Sequence, residues 1–282
     1  MPTPIVNTLK VPGAALYHER RGTGPLLLLI PGGNGDAGPY QRVAEALEAR
    51  YTVVSYDRRG FSRSPSPEGQ PTDPLAADAD DARRLIEHVG GGRAIVFGSS
   101  SGGIIALELL ARYPDQVLAV VAHEPPLLTL LPDAAEALAF MDSVYQTYRE
   151  AGVDAAMQVF SAKMGFAVRR PPEGGDLPPG LRDMLTRMRH NHAHWLEHEL
   201  RQYTRAAVDM GTLTSLGARV VLAVGEDSRG SMPYRPNLIL AERLGQPVYD
   251  FPGGHLGYMT NAVAFSLRLN EVLDGLPRSP RA

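Results

Sequence analysis

The chain has 282 residues, of which 44% are hydrophobic, enough for one large α/β domain or for a core with an inserted subdomain. Its formal net charge of −3 argues against binding to nucleic acid or an anionic membrane, and the absence of cysteine excludes thiolate catalysis, disulfides and cysteine-ligated zinc. The first residues lack the pattern of a secretory signal, and no apolar run is long enough to span a bilayer. We therefore expect a cytoplasmic protein.

In chain order, the sequence predicts a hairpin and then strands that alternate with helices. Residues 5–11 and 14–21 flank Pro12-Gly13, which is typical of a turn between antiparallel strands. Short apolar segments then alternate with amphipathic ones. The predicted strands are 26–30, 51–56, 94–97 and 117–122, and the predicted helices are 41–50, 75–89 and 104–113. Such alternation predicts a mostly parallel, doubly wound sheet.

The alternation stops after residue 126 and resumes near residue 212. The intervening pattern is helical over residues 133–151, 154–166 and 181–207, with a Gly/Pro-rich segment at 170–180. An all-helical insertion in an α/β chain is typical of a cap, so we predict a core from residues 1–126 and 212–282 and a cap from residues 127–211. The core would end with strands 219–224 and 246–251, helices 236–244 and 262–275, and a loose tail at 277–282.

The strand at residues 94–97 runs directly into Gly98-Ser99-Ser100-Ser101-Gly102. This segment fits the pattern Gly-x-Ser-x-Gly only with Ser100 at its centre. A sharp turn from strand to helix strains the middle residue and exposes the serine oxygen at the carboxyl edge of the sheet. A plain Gly/Ser turn or a phosphate loop is the alternative, although no Gly-Lys-Ser/Thr follows. Ser100 is therefore a candidate nucleophile whose role depends on partners elsewhere.

The chain resembles the α/β-hydrolase superfamily over nearly its whole length, because this segment and several others occur in the order that is typical of that family. The others are a glycine turn at 31–34, Asp57-Arg58-Arg59-Gly60 followed by Ser64, the cap, and Gly254-His255 before the last helix. The resemblance implies the α/β-hydrolase fold, with a helical cap inserted in the sheet domain, and a serine hydrolase that uses no cofactor. A serine at position 100 argues against the epoxide-hydrolase and haloalkane-dehalogenase branches, whose nucleophile is aspartate.

A serine hydroxyl needs a base within hydrogen-bond reach, and His255 is the preferred candidate. It follows a predicted strand directly, in a glycine-rich loop at the carboxyl edge of the sheet. We expect structural roles for His18, His88 and His123, which lie in a hairpin, at a helix end and at a strand end.

The acid that orients the histidine departs from the commoner family pattern. That pattern implies an aspartate three residues after Gly225, where this chain has Ser228. Some members carry the acid after the sixth strand, where Glu124 closes an otherwise apolar segment. Burying an unpaired carboxylate is costly, so we favour Glu124, with Asp227 as the alternative.

The resemblance also implies an oxyanion hole formed by the backbone N–H groups of Gly33 and Ser101. Pro31 stands where the family has a histidine, which leaves the backbone role of Gly33 open. Asn34 either assists at this site or, as we favour, holds the turn.

The cap carries two weaker signals. His190, His194 and His198 share one helical face, but the Glu-bearing zinc motif is absent and we expect no metal. An apolar substrate pocket or the packing of the cap itself would explain a further set of side chains, which is Met141, Tyr145, Phe160, Met164, Met188 and Trp195.

We therefore expect a serine hydrolase in which an apolar small or medium ester or lactone forms an acyl-enzyme. Carbon–carbon bond hydrolase, thioesterase and perhydrolase activities use the same residues and stay open. A non-catalytic ligand receptor on the same fold is the alternative of another class. We expect a small-molecule substrate as the partner, with no nucleic acid and no membrane. The sequence leaves the oligomeric state open, with a homodimer as one candidate.

Overall fold

Eight strands form one sheet in the computed structural model, which describes residues 3–165 and 177–276. They occur in the spatial order β1-β2-β4-β3-β5-β6-β7-β8. Both pairings of β2 are antiparallel and all the others are parallel. The strands are β1 (Ile5–Val11), β2 (Ala14–Arg21), β3 (Leu26–Ile30), β4 (Thr52–Tyr56), β5 (Ala94–Ser99), β6 (Val117–His123), β7 (Val220–Gly225) and β8 (Val248–Phe251).

Ten α-helices accompany the sheet in the described part of the chain. They are α1 (Gln41–Leu47), α2 (Pro74–Val89), α3 (Ser101–Arg112), α4 (Ala134–Met164), α5 (Pro179–His198), α6 (Leu200–Thr204), α7 (Met210–Ser215), α8 (Arg235–Leu244), α9 (Gly257–Thr260) and α10 (Ala262–Asp274). None of these helices has the length and apolarity that a membrane span requires.

The sheet is covered on both faces, which explains why its central strands are apolar without alternation. All five residues of β3 and all five of β4 are buried. One face packs against α2, α3 and part of α8, and the other packs against α1 and α10. The predicted fold class, a doubly wound and mostly parallel sheet with helices inserted between β6 and β7, is confirmed. Its parallel strands end at one edge, where the residues after β3, β5 and β6 meet.

The helices inserted between β6 and β7 differ in detail from the prediction. The segment α4 contains the two helices predicted over residues 133–151 and 154–166, because the backbone of Gly152, with φ of 84° and ψ of −178°, is not helical and separates them. The helix predicted over residues 181–207 is divided into α5 and α6. Most of the Gly/Pro segment at 170–180 and the tail at 277–282 lie outside the described residues. The bounds 127–211 for a separate cap domain stay a prediction.

Their apolar side chains form a core of their own. It includes Met141, Phe160, Met164, Trp195 and Leu200, and Phe61 joins it from the loop after β4. Most of these side chains therefore pack over the carboxyl edge of the sheet, whereas Tyr203 of α6 joins the core on one face of the sheet.

Candidate active site

Ser100 lies in the turn between β5 and α3 in a strained backbone conformation. Its φ is 57° and its ψ is −126°, a region that residues with a side chain seldom adopt. Its N–H donates to the carbonyl of His123 at 2.9 Å, and its carbonyl accepts from the N–H of Gly103 at 2.8 Å. These bonds fix the turn to the end of β6 and hold the serine at the sheet edge.

The flanking glycines are required because the turn brings backbone segments very close together. A Cβ on Gly98 would clash with the carbonyl oxygen of Gly102, and a Cβ on Gly102 would clash with that of Ile30. Both obstacles are backbone atoms, which cannot rotate away.

Gly98→Ala should therefore destabilise the fold by about 1–3 kcal/mol, the usual cost of overpacking a filled site. Gly180→Ala is the matched control, because a Cβ at Gly180 would meet no atom of residues 3–165 or 177–276 within 4 Å and its helix gains from alanine. Urea unfolding of both variants measures the difference in the free energy of unfolding. Equal stability of the two variants would contradict the close approach seen at Gly98.

Glu124 and His255 form a buried hydrogen-bonded pair at the same edge. Glu124 directly follows β6 and has φ of 47°. The Nδ1 atom of His255 lies 2.6 Å from Oε2 of Glu124, and the N–H of Gly225 donates to Oε1 at 2.8 Å. With Nδ1–H donating to the carboxylate, the Nε2 atom of His255 carries the lone pair that a base needs.

Burial and pairing act in opposite directions on the Glu124 carboxyl. Burial alone raises its pKa, but the hydrogen bond and the charge of His255 outweigh burial and lower the pKa to about 2. Glu124 is therefore ionised at neutral pH and can stabilise an imidazolium on His255.

Asp227, the alternative acid, lies in the turn after β7. Its side chain is exposed, and its backbone N–H donates to the carbonyl of Gly253 at 3.1 Å. The two candidate acids thus occupy different surroundings, since Glu124 is fully buried against His255 whereas Asp227 faces solvent.

His123 supports the pair from beneath. Its ring is stacked on that of His255 with centroids 6.1 Å apart, and its Nδ1 atom lies 2.9 Å from Oγ of Ser99. Burial lowers the pKa of His123 to about 4, so this ring stays neutral beside His255. The other two histidines for which structural roles were expected, His18 and His88, contact each other edge to face with ring centroids 5.5 Å apart.

The turn after β3 lies over Ser100. A Cβ on Gly32 would come within 3.0 Å of Cβ of Ser100, so the turn and the serine are in direct contact. The Oδ1 atom of Asn34 accepts from the N–H of Asp36 at 3.0 Å and thus holds the turn. Ser101 is the first residue of α3, where helical N–H groups have no partner within the helix. The turn that carries Gly33 and the first residue of α3, Ser101, thus both lie next to Ser100, and their role in an oxyanion hole stays a prediction.

A narrow pocket lies between Ser100 and the inserted helices. Its free volume is about 20 Å³, and its lining comprises Ser100, Ser101, Pro126, Met141, Phe160, Met164, Trp195, Glu199, Leu200, Tyr203 and Thr204. Three of the side chains proposed for substrate binding, Met141, Met164 and Trp195, thus share this pocket with the serine.

Other side chains singled out in the sequence lie elsewhere. The hydroxyl of Tyr145 donates to Glu197 at 3.2 Å, and its ring lies under the guanidinium of Arg201. Neither Tyr145 nor Met188 belongs to the lining of this pocket. Of the three histidines on one face of α5, His190 is exposed and His194 packs against Phe61 with ring centroids 4.5 Å apart. Burial lowers the pKa of His194 to about 4.

Glu199 and its buried partner Arg58 are not among the site residues that the sequence predicts. Arg58 occupies the variable position of Asp57-Arg58-Arg59-Gly60, and Glu199 lies 141 residues away. A signal was present in α5 and its end, because Arg187, Asn191, Trp195 and Glu199 recur every fourth residue and so share one helical face.

The fold, with a strained serine after β5 and a histidine–carboxylate pair beside it, is that of an α/β-hydrolase. A family model described as alpha/beta hydrolase fold matches residues 25–171, and the chain belongs to this family. The uncharacterized hydrolase YraK of Bacillus subtilis (strain 168) is 35% identical over 273 residues, 95% of each chain.

Solved structures share the fold at lower identity. A thermophilic esterase from Thermogutta terrifontis aligns with a TM-score of 0.74 and 22% identity over 98% of this chain and 99% of its own. The enol-lactonase from Burkholderia xenovorans LB400 aligns with a TM-score of 0.72 and 17% identity over 95% of this chain and 100% of its own.

Proposed function

We propose that the protein is a serine hydrolase that cleaves a carboxylic ester or lactone through an acyl-enzyme. The observation that carries this proposal is the buried Glu124–His255 pair at the sheet edge where Ser100 is held in a strained turn. Membership of the α/β-hydrolase family supports it.

In the first half of the reaction, Oγ of Ser100 attacks the substrate carbonyl carbon while Nε2 of His255 takes the hydroxyl proton. The carbonyl oxygen becomes an oxyanion and receives hydrogen bonds from the N–H groups of Gly33 and Ser101. Collapse of the tetrahedral intermediate breaks the ester bond. His255 returns the proton to the leaving alkoxide, so an alcohol departs and the acyl group stays on Ser100.

In the second half, water replaces the alcohol. His255 takes a proton from the water, the hydroxide oxygen attacks the acyl carbon, and the same two N–H groups stabilise the second oxyanion. The bond to Oγ then breaks, and Oγ takes the proton from His255, which releases a carboxylic acid and restores both the serine hydroxyl and the neutral imidazole. Throughout, ionised Glu124 stabilises the positive charge that His255 gains in each half-reaction.

The pocket indicates a short apolar acyl chain. Its free volume has room for about one water molecule, and most of its lining is apolar. Met141 and Met164 are flexible, so a small acyl group can displace them at low cost. A long chain would have to open the contact between these helices and the core.

Hydrolysis of a series of 4-nitrophenyl esters tests the activity and the chain length together. We expect kcat/KM, normalised to the rate in buffer alone, to be at least about tenfold higher for acetate to butyrate than for decanoate, the discrimination usual for a misfit in an apolar pocket. Met164→Ala should shift the optimum to longer chains because it enlarges the pocket.

Val159→Ala is the control for this series, since Val159 is exposed on the same helix and should leave the preference unchanged. A folded wild-type protein that hydrolyses no ester, lactone or thioester of any length would contradict the proposal. Saturable binding of such compounds without turnover would instead support the ligand receptor.

A further inference from the structure

A fully buried arginine contacts the turn that carries Gly33. Arg58 follows β4, and its Nη1 atom donates to the carbonyl oxygen of Gly32 at 3.0 Å. The same nitrogen donates to Oε2 of Glu199 at 3.0 Å, and Nη2 donates to Oε1 of Glu199 and, at 2.7 Å, to Oδ2 of Asp78. The guanidinium therefore joins this turn to α2 and to the end of α5.

The carbonyl that Arg58 holds belongs to the peptide group that carries the Gly33 N–H. A peptide group is planar and trans, so its C=O and N–H point in opposite directions and rotate as one unit. The Gly32 oxygen also accepts from the N–H of Gly35 at 3.0 Å. Two donors on this oxygen fix the direction of the Gly33 N–H and polarise it, which makes it a stronger donor to an oxyanion.

Helix α5 follows the same turn with side chains spaced four residues apart. The Nε atom of Arg187 donates to Asp36 at 2.7 Å, and the amide nitrogen of Asn191 donates to the carbonyl of Asn34 at 2.6 Å. The indole of Trp195 lies against Gly33 so closely that a Cβ there would clash with it. Glu199 completes the series through Arg58.

The charges explain why Glu199 matters to Arg58. Arg58, Asp78 and Glu199 are all at least 95% buried, and a buried cation needs its carboxylates to offset the loss of water. Tyr203 donates to Asp78 at 2.5 Å, so Asp78 is shared between two donors. Glu199 is the partner that binds Arg58 through both of its oxygens, a geometry that sets the plane of the guanidinium.

We propose that Glu199, acting through Arg58, is a positioning residue that aims the Gly33 N–H at the oxyanion. The inserted helices thereby help to form the oxyanion hole as well as the pocket. This role rests on the proposed hydrolase function, but the contact between α5 and the turn can be measured without turnover.

The kinetic test compares Glu199→Ala and Glu199→Gln with Asp154→Ala. Asp154 pairs with Arg189 of α5 on the exposed side, so its loss removes a carboxylate without touching the turn. Removing one oxyanion donor lowers kcat by about 10²–10³-fold. A misdirected donor still gives part of that stabilisation. We therefore expect Glu199→Ala to lower kcat by about 10–100-fold and to leave KM within about threefold of the wild-type value. The affinity for a trifluoromethyl ketone, whose adduct carries an oxyanion, should fall in parallel.

Glu199→Gln keeps one acceptor for Arg58 and should lose only about threefold in kcat, within the range of one weakened hydrogen bond. Asp154→Ala should match the wild type. A loss carried by KM alone, or Glu199 variants that behave like Asp154→Ala, would overturn the proposal. If Glu199→Ala does not fold, the comparison of Glu199→Gln with Asp154→Ala decides in the same way.

Trp195 is the only tryptophan in the sequence, so intrinsic fluorescence reports directly on the contact with Gly33. Glu199→Ala should shift its emission to the red and increase quenching by acrylamide, because the indole is 8% exposed in the intact contact. An unshifted spectrum overturns the positioning of the turn by Glu199. A wild-type protein without turnover refutes the hydrolase function. The fluorescence of Trp195 then still tests whether Glu199 maintains the contact between Trp195 and Gly33.

Discussion

Ser100→Ala is expected to lower kcat for ester hydrolysis by about 10⁵–10⁶-fold, because removing the nucleophile of such a triad costs nearly as much as removing the whole triad. The remaining rate would come from the oxyanion hole and from substrate binding. Initial rates on a short-chain ester measure the loss. Intact-mass analysis after treatment with a fluorophosphonate should show one adduct on the wild type and none on the variant.

Ser143→Ala is the control, since Ser143 is exposed on α4 and its hydroxyl donates to the carbonyl of Phe140 in the same helix. It should keep the wild-type rate and the adduct. An adduct that persists in Ser100→Ala would show that Ser99 or Ser101 is the reactive serine. Unchanged turnover without any adduct would exclude a covalent serine mechanism.

Glu124→Gln is expected to lower kcat by about 10³–10⁴-fold, the effect of replacing a triad carboxylate by its amide. An amide cannot offset the charge on the imidazolium, and its NH₂ group favours the wrong tautomer of His255. The pKa of Glu124 is about 2, so the wild-type carboxylate is ionised throughout the range from pH 5 to 9 in which the rates are compared.

Asp227→Asn makes the same chemical change at the alternative acid and should stay within about twofold of wild type, as is usual for an exposed surface substitution. Thermal unfolding of both variants checks that each is folded. If Asp227→Asn abolishes turnover and Glu124→Gln does not, the acid comes from the loop after β7 and the assignment to Glu124 is wrong.

Much of the fold could be predicted because its signals are local. The apolar run of β3, the Gly-x-Ser-x-Gly turn and the alternation of strands and helices are each contained in a short stretch of sequence. Gly152 is another local signal, since it lies between two helical patterns and its non-helical backbone separates two helices within α4.

The site was predictable only where a residue lies next to a strand end. Ser100, Glu124 and His255 all follow strands, so topology brings them to one edge. Tyr145 and Met164 lie in the two helical parts of α4, before and after Gly152, yet only Met164 of these two lines the pocket, because the packing of each part depends on tertiary contacts. The four-residue spacing on α5 marks the helical face of Glu199, but its pairing with Arg58, 141 residues away, depends on how the inserted helices dock, and that spacing does not identify the partner.

With Glu124, which directly follows β6, as the proposed acid, the loop after β7 contributes no side chain to the proposed triad. The N–H of Gly225, the last residue of β7, still donates to the Glu124 carboxylate. Farther along the chain, Arg229 and Gly230 are exposed, and a Cβ on Gly230 would meet no atom of the described residues within 4 Å. Exposed loop tips of this kind tolerate inserted residues. In an enzyme with the acid after β7 such an insertion would displace the triad. Here we expect the loop to accept an affinity peptide or a reporter domain close to the proposed active site.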